Sequence, residues 1–347
     1  MLIFRQGMAK EDSSLKADPR ITIGIPTFNS TQYLPIALRS LADCNYDKRL
    51  VRVVFVDNYS SDETLEIIDD FKEKYGKAYE SIIVKQSRSN IPRARNICIE
   101  CAEGSDYIFF LDSDIAIPPD TFGRLLTLFE RKKVGMATLH QANVDAVKRA
   151  SFLLRAFKSG TGVVEAYKVS AGCNMLSMKV AKEVGNFNER LPEQEDGEYC
   201  FRIRKIGYTI LCDWSLEGTH LKEERVDMRY YLRIISNSSR TYIELLKGQS
   251  IVHLARYFTT LVSLGALVHF VLTGSVVAVL LFLTALSFAL WLNTSRIVLD
   301  DGIEVKLQYR PFVAPIITLF VAAIVMASLG RILLESPVLK RLRILKA

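Results

Sequence analysis

Four short apolar runs in the first third of the chain each break off on polar or acidic residues. The last of them, Tyr107-Ile108-Phe109-Phe110-Leu111, breaks off on Asp112-Ser113-Asp114. The other three are Ile21 to Ile25, which stops at Pro26, Val51 to Val56, which ends on Asp57-Asn58, and Ile82 to Val84. Helical signals lie between them. Leu34, Ile36, Ala37, Leu38 and Leu41 follow the first run, and a helix through Ala102 precedes the fourth. Ser60 with Glu63 three residues later reads as a capping box opening a helix through Phe71. Strands alternating with helices imply a mostly parallel α/β sheet flanked by helices on both faces. Such sheets bind ligands at the carboxyl edge of their strands, which is where Asp112 and Asp114 are delivered.

Two carboxylates two residues apart at a strand end suit a divalent cation held against a diphosphate. Magnesium and manganese favour hard oxygen ligands, few from the protein and the rest from phosphate and water. An acidic pair alone also ends ordinary strands as solvated turn residues, so the rest of the chain has to decide. No G-x-G-x-x-G and no P-loop lysine motif is present, which leaves the usual dinucleotide and Walker readings unsupported. Residues 134–220 are more mixed, with strands expected at Val163 to Ser170 and Tyr208 to Cys212.

The later third has a different character. From Tyr257 to Ser295 there is no Asp, Glu, Lys or Arg across 39 residues. A membrane helix needs roughly 20 apolar residues, so this length fits a hairpin of two spans, turning at Thr273-Gly274-Ser275. A second uncharged stretch, Pro311 to Gly330, lies between Arg310 and Arg331. Met228 to Leu246 alternates apolar and basic residues at helical spacing, which suits an amphipathic helix on a membrane surface or packed on the front domain. The expected organisation is an extension over 1–20, a catalytic domain over 21–224, an amphipathic helix over 225–250 and a membrane domain over 251–347. That last unit holds a hairpin at about 255–294, a third apolar segment at 311–331 and a basic tail.

The net charge of +7 gathers beside these segments, at Arg225, Arg229, Arg233, Arg240, Lys247 and Arg256 and again at Lys340, Arg341, Arg343 and Lys346. Juxtamembrane basic clusters attract anionic lipid headgroups and mark the cytoplasmic face. Nucleic acid, the competing partner for a basic chain, fits poorly because the cations hug the apolar stretches. Met1-Leu2-Ile3-Phe4 is too short for the core of a signal peptide, so the front domain is expected in the cytoplasm, on a multi-pass protein of the cell membrane. A third span would leave the basic tail outside, so residues 311–331 either span or lie re-entrant in the interface. The six scattered cysteines show no disulfide framework, and Cys98-x-x-Cys101, inside a helix and without a second pair, reads as core packing. The oligomeric state stays open, a homo-oligomer included.

Four constellations point to one site: Pro26-Thr27-Phe28-Asn29 and Asp57-Asn58 after strands, the Asn90 to Asn96 segment with Arg93 and Arg95, and the acidic run Glu193 to Glu198 opening a helical segment. Their order resembles that of the family 2 glycosyltransferases, inverting enzymes with a nucleotide-sugar-binding A-type fold. The resemblance runs from about Ile21 to His220. It is carried by Ile23-Gly24-Ile25-Pro26-Thr27-Phe28-Asn29, Val56-Asp57-Asn58 with Ser61-Asp62, and Asn90 with Arg95-Asn96. It continues through Leu111-Asp112-Ser113-Asp114, Gly172-Cys173-Asn174-Met175, Gly185-Asn186-Phe187-Asn188-Glu189, and Glu195-Asp196 leading to Arg202 and Gly207.

By position, the resemblance implies that Pro26, Thr27, Asn29 and Asp57 hold the nucleobase and ribose. Asn90 and Arg95 would border the nucleotide, with Arg95 alternatively orienting Asp112. Asp112 and Ser113 would lie near ribose or metal, and Asp114 would ligate Mg2+ or Mn2+ on the diphosphate. His220, beyond the last strand, matches a further metal or diphosphate contact, and Asp196 matches the catalytic base. Chemistry adds that Asp196, beside Glu195 and Glu198, would be partly desolvated and raised in proton affinity. Two positions depart from the family pattern: Ile91 replaces a frequent glycine, and Asn58-Tyr59 a frequent Asp-Gly. The acidic Glu195-Asp196 segment favours a sugar or lipid-linked sugar as acceptor. The alternatives are a polyprenyl-phosphate glycosyltransferase and a membrane scaffold that binds nucleotide-sugar without turnover.

Overall fold

The computed structural model of the protein describes residues 18–143, 162–166, 168–191 and 194–222, together with Thr273. The expected amphipathic helix, membrane hairpin, third apolar segment and basic tail lie outside the described residues, as do residues 1–17 of the extension. Among the described residues no helix is long and apolar enough to cross a membrane.

The front half is built as the apolar runs dictate. Strands β1 (Ile21–Thr27), β2 (Val51–Asp57), β3 (Ser81–Gln86) and β4 (Tyr107–Leu111) alternate with helices α1 (Leu34–Ala42), α2 (Thr64–Tyr75) and α3 (Ile91–Cys101). All four strands are parallel, in the order β3-β2-β1-β4. Every residue of β1 is buried, as expected for a strand covered on both faces. Strand β1 runs two residues beyond the expected stop, because Pro26 and Thr27 still pair with Val56 and Asp57.

After Asp114 come β5 (Ile115–Ala116), α4 (Thr121–Phe129), β6 (Val134–Asn143), β7 (Val163–Glu165), β8 (Cys173–Ser177), α5 (Met178–Val184), α6 (Glu195–Lys205) and β9 (Thr209–His220). Here the expectation of a mostly parallel sheet needs correction. Strand β8 runs antiparallel to both β4 and β6, and β5 and β7 run antiparallel to β9; only β6 and β9 are parallel. The sheet is mixed. The strand expected over Val163 to Ser170 shortens to β7, and the one expected to end at Cys212 continues to His220, with a register shift between Leu139 and His140 on its partner.

Side chains alternate across this sheet into two cores. Val53, Phe55, Phe109 and Leu111 face Leu38, Leu41, Ile68, Phe71 and Phe122, whereas Val54, Val56, Ile108 and Phe110 face Ala94, Ile97, Val180, Tyr199 and Ile203. Each such side chain contributes about 1.5–3 kcal/mol when fully buried. Gly24 is required by the close approach of α3, since a Cβ there would lie 2.6 Å from the Cβ of Cys98. Cys98 is buried and both it and Cys101 are free thiols, so the pair packs in the core as expected.

The capping box is not formed. Ser60 donates its hydroxyl to Asp57 instead, and α2 starts only at Thr64. Asp62 serves the helix start, accepting from the backbone and hydroxyl of Thr64.

Candidate active site

Strands β1, β2 and β4 deliver their last residues to one edge. Thr27 stands beside Asp57 in register, and Asp57 beside Gln86. Asp57 is fully buried and is the hub of this edge. Its carboxylate accepts from the Thr27 hydroxyl at 3.1 Å, the Ser60 backbone at 2.9 Å, the Ser60 hydroxyl and the Gln86 amide at 3.4 Å. Its oxygens are thus engaged within the edge, where they hold the turn that carries Asn58 and Tyr59. Asn29, with φ +47, closes that turn from the β1 side, accepting from the Ser61 backbone at 2.9 Å and donating its own N–H to Ser60 Oγ at 2.9 Å. Ser113 meets Ser30 hydroxyl to hydroxyl at 2.9 Å, which ties the acidic loop to the end of β1.

Asn90 is the N-cap of α3. Its carbonyl oxygen accepts from the Arg93 backbone at 3.1 Å, and its amide donates to the Glu189 backbone carbonyl at 2.7 Å. The Glu189 carboxylate in turn accepts from Asn96 at 2.8 Å and Arg93 at 3.2 Å, which together hold it below the usual carboxylate range. Asn90, Arg93 and Glu189, with Asn58, Tyr59, Arg88 and Ser89, line an open cleft of about 680 Å³. Tyr59 is exposed, adopts φ +54, and carries the Arg88 guanidinium 5.8 Å from its ring centre. A non-glycine residue in the left-handed region is uncommon. Three of the four among the described residues, Asn29, Tyr59 and Gln194, border this edge.

Arg95 is buried at 3% exposure and bridges two carboxylates: one nitrogen donates to Glu195 on α6, another to Asp112 at 3.3 Å. Of the two placements the resemblance allowed it, Arg95 lies against Asp112. Glycine is needed at 172, since a Cβ would lie 2.7 Å from Asp112 Oδ2. Asp196 follows Glu195 in the first turn of α6, half-buried, with Oδ1 accepting from the Gly197 backbone at 2.6 Å. The strongly desolvated carboxyl of this turn is Glu195, one residue earlier than expected. Burial raises its proton affinity, Asp196 adds to the rise, and Arg95 opposes it. Glu198 is engaged by Arg202 at 2.8 Å.

His220 is the last residue of β9 rather than beyond it, and pairs in register with Ile115. That pairing sets its Nε2 3.6 Å from Asp114 Oδ2. Asp114 is raised in proton affinity, first by burial and then by the charge of Asp112, against the pull of His220 and Lys222. Asp112 is turned to Arg95, so the three expected metal ligands do not converge as one cluster among the described residues. The carboxylates of Asp112 and Asp114 are nevertheless the hard oxygen donors that suit Mg2+ or Mn2+. The sequence reading did not include Glu189, Glu195 or Gly172 among the site residues, although each sits inside a motif that carried the resemblance.

A mixed α/β sheet with acidic residues at the ends of its strands is the class of fold the described residues define. Residues 22–183 match the family model described as Glycosyl transferase family 2. The poly(ribitol-phosphate) beta-N-acetylglucosaminyltransferase TarS of Staphylococcus aureus is 31% identical over 102 residues, 29% of this chain and 17% of that protein. The chondroitin synthase of Escherichia coli is 22% identical over 262 residues, 72% of this chain and 37% of that protein. The chain thus spans well under two thirds of either relative. The mannosyltransferase PcManGT from Pyrobaculum calidifontis, solved in complex with GDP-Man and Mn2+, superposes at a TM-score of 0.57 with 15% identity. That alignment covers 92% of this chain and 88% of that one, and shows a shared fold.

Proposed function

We propose that the protein is a membrane-anchored, metal-dependent inverting glycosyltransferase. It would move a sugar from a nucleotide-diphosphate donor to a lipid-linked glycan acceptor at the cytoplasmic face. The observation that supports this reading most is the Arg95 bridge, which joins Asp112 at the end of β4 to Glu195 in the first turn of α6, the turn that also carries Asp196. The uncharged stretches 257–295 and 311–330, with their basic flanks, support the anchor. The similarity to TarS and to a chondroitin synthase supports transfer to a polymeric acceptor.

In this reading the cleft between Tyr59, Arg88 and Asn90 takes the nucleoside, with Asn58 and Tyr59 held in its wall by the Asp57–Ser60 hydrogen bond. Asp112, Asp114 and His220 would hold Mg2+ or Mn2+, which when bound carries the charge of the departing diphosphate. Asp196 takes the proton of the acceptor hydroxyl as that oxygen attacks the anomeric carbon opposite the leaving group, which inverts the centre. An anchor close to the bilayer raises the effective concentration of the site toward lipid-linked acceptors.

The test is the melting temperature of the detergent-purified protein with UDP, GDP, dTDP and CDP, each with and without manganese. A ligand that binds only the folded state raises it. A manganese-dependent rise with one nucleotide supports the reading and names the donor class. No rise with any nucleotide contradicts it.

A further inference from the structure

Arg95 takes its two carboxylate partners from opposite sides of the candidate site. Glu195 opens the helix that carries Asp196, and Asp112 ends the strand that leads to Asp114. The two carboxylates reach each other only through the guanidinium, which also lies 5.9 Å from the ring centre of Phe187. The guanidinium and Glu195 are both buried, so this is an ion triad with most of its water removed. Removing one partner from such a group leaves an uncompensated buried charge. A guanidinium is also planar, with its donors in a fixed fork, so fixing one end fixes the direction of the other. Gly172 completes the seat: it leaves room for Asp112 Oδ2 where a side chain would collide. Asp112 is therefore held by Arg95 on one side and backed by Gly172 on the other, and Arg95 is itself held by Glu195.

We propose that Glu195 is a positioning residue acting through Arg95, so that a carboxylate on the acceptor-side helix sets affinity for the donor. Its neighbour Asp196 sets turnover instead. The proposal rests on the reading of this edge as a nucleotide-sugar site. Two adjacent acidic residues at the start of one helix thus divide the work, Glu195 facing inward to the donor edge and Asp196 outward to the acceptor.

The experiment is isothermal titration of the full-length protein with manganese and whichever of UDP, GDP, dTDP and CDP stabilises the wild type. Glu195→Gln keeps the shape and removes the charge. It should weaken nucleotide binding about tenfold, the usual scale for losing a partner that orients a ligand, and raise the donor KM while leaving the acceptor KM unchanged. Asp112→Asn should weaken binding as well. The double variant should bind no worse than Asp112→Asn alone, because Glu195 acts only through Asp112. Unchanged affinity in Glu195→Gln, or fully additive losses in the double variant, would overturn the proposal. Should Glu195→Gln fail to fold, Arg95→Lys keeps the buried charge but cannot bridge both partners. It should show the same loss, and wild-type affinity in that variant would overturn the proposal equally. Wild-type protein that binds no nucleotide would bring down the functional reading itself, and this role with it. Equal binding by wild type and variant would bring down the positioning role alone.

Discussion

The hydroxyl of Ser60 donates to the buried carboxylate of Asp57, three residues before it, and so closes the turn that carries Asn58 and Tyr59 to the cleft wall. Four hydrogen bonds converge on that carboxylate from Thr27, Ser60 and Gln86. Asp57→Ala leaves these donors without a partner in a buried place. A buried donor left unsatisfied costs about 1–3 kcal/mol. The variant should melt several degrees lower than the wild type, while Asp57→Asn, which keeps the shape, should lose less. Equal melting temperatures for wild type and alanine variant would contradict the hub role.

Gly172→Ala separates geometry from stability. Its Cβ would lie 2.7 Å from Asp112 Oδ2, which is partly exposed and can swing away, and 2.8 Å from Cδ1 of the buried Ile115, which must shift. The fold should accommodate the methyl at a modest cost in melting temperature. The displaced Asp112 should lower turnover about 100-fold, the scale of a 1 Å misplacement in an active site. A steady-state assay beside a melting curve checks both halves. A large stability loss with normal turnover would contradict the prediction.

How far the site was legible follows from which interactions are local. The parallel half could be read because β1, β2 and β4 are continuous apolar runs that end on polar residues. The Ser60–Glu63 capping box could not be trusted, because that pattern is local whereas the bond that wins, Ser60 to Asp57, depends on how deeply β2 ends. The antiparallel half depends on pairings such as Met136 with Leu176, which no spacing in the sequence announces. No local pattern in the run Glu193 to Glu198 marks Glu195 as the acid that meets Arg95. Which of Glu195 and Asp196 faces Arg95 is decided by the packing of α6 against the sheet, with Tyr199 and Ile203 buried on the same side.

Asp62 gives a pH signature. Burial works to raise its carboxyl, but hydrogen bonds from Thr31 and Thr64 outweigh it and hold the pKa at about 2, below the ordinary 3.8. A depressed carboxylate stabilises the fold above its unfolded pKa, and that contribution is lost as pH falls through the folded value. Between about pH 4 and pH 2 the wild type should therefore lose stability faster than Asp62→Asn, which has no charge to lose. Because Asp62 is exposed, the difference should be small and is best read as the slope of melting temperature against pH. Parallel slopes for the two proteins would contradict it.

The central claim is that the donor edge and Asp196 form one catalytic site, and Asp196→Asn tests it most directly. Nucleotide affinity and sugar transfer should be measured on the same preparation. The account predicts nucleotide binding within about twofold of wild type, with turnover reduced at least 100-fold, the scale of a lost general base. Full turnover with unchanged donor binding would contradict the assignment of Asp196 as the base and the mechanism built on it.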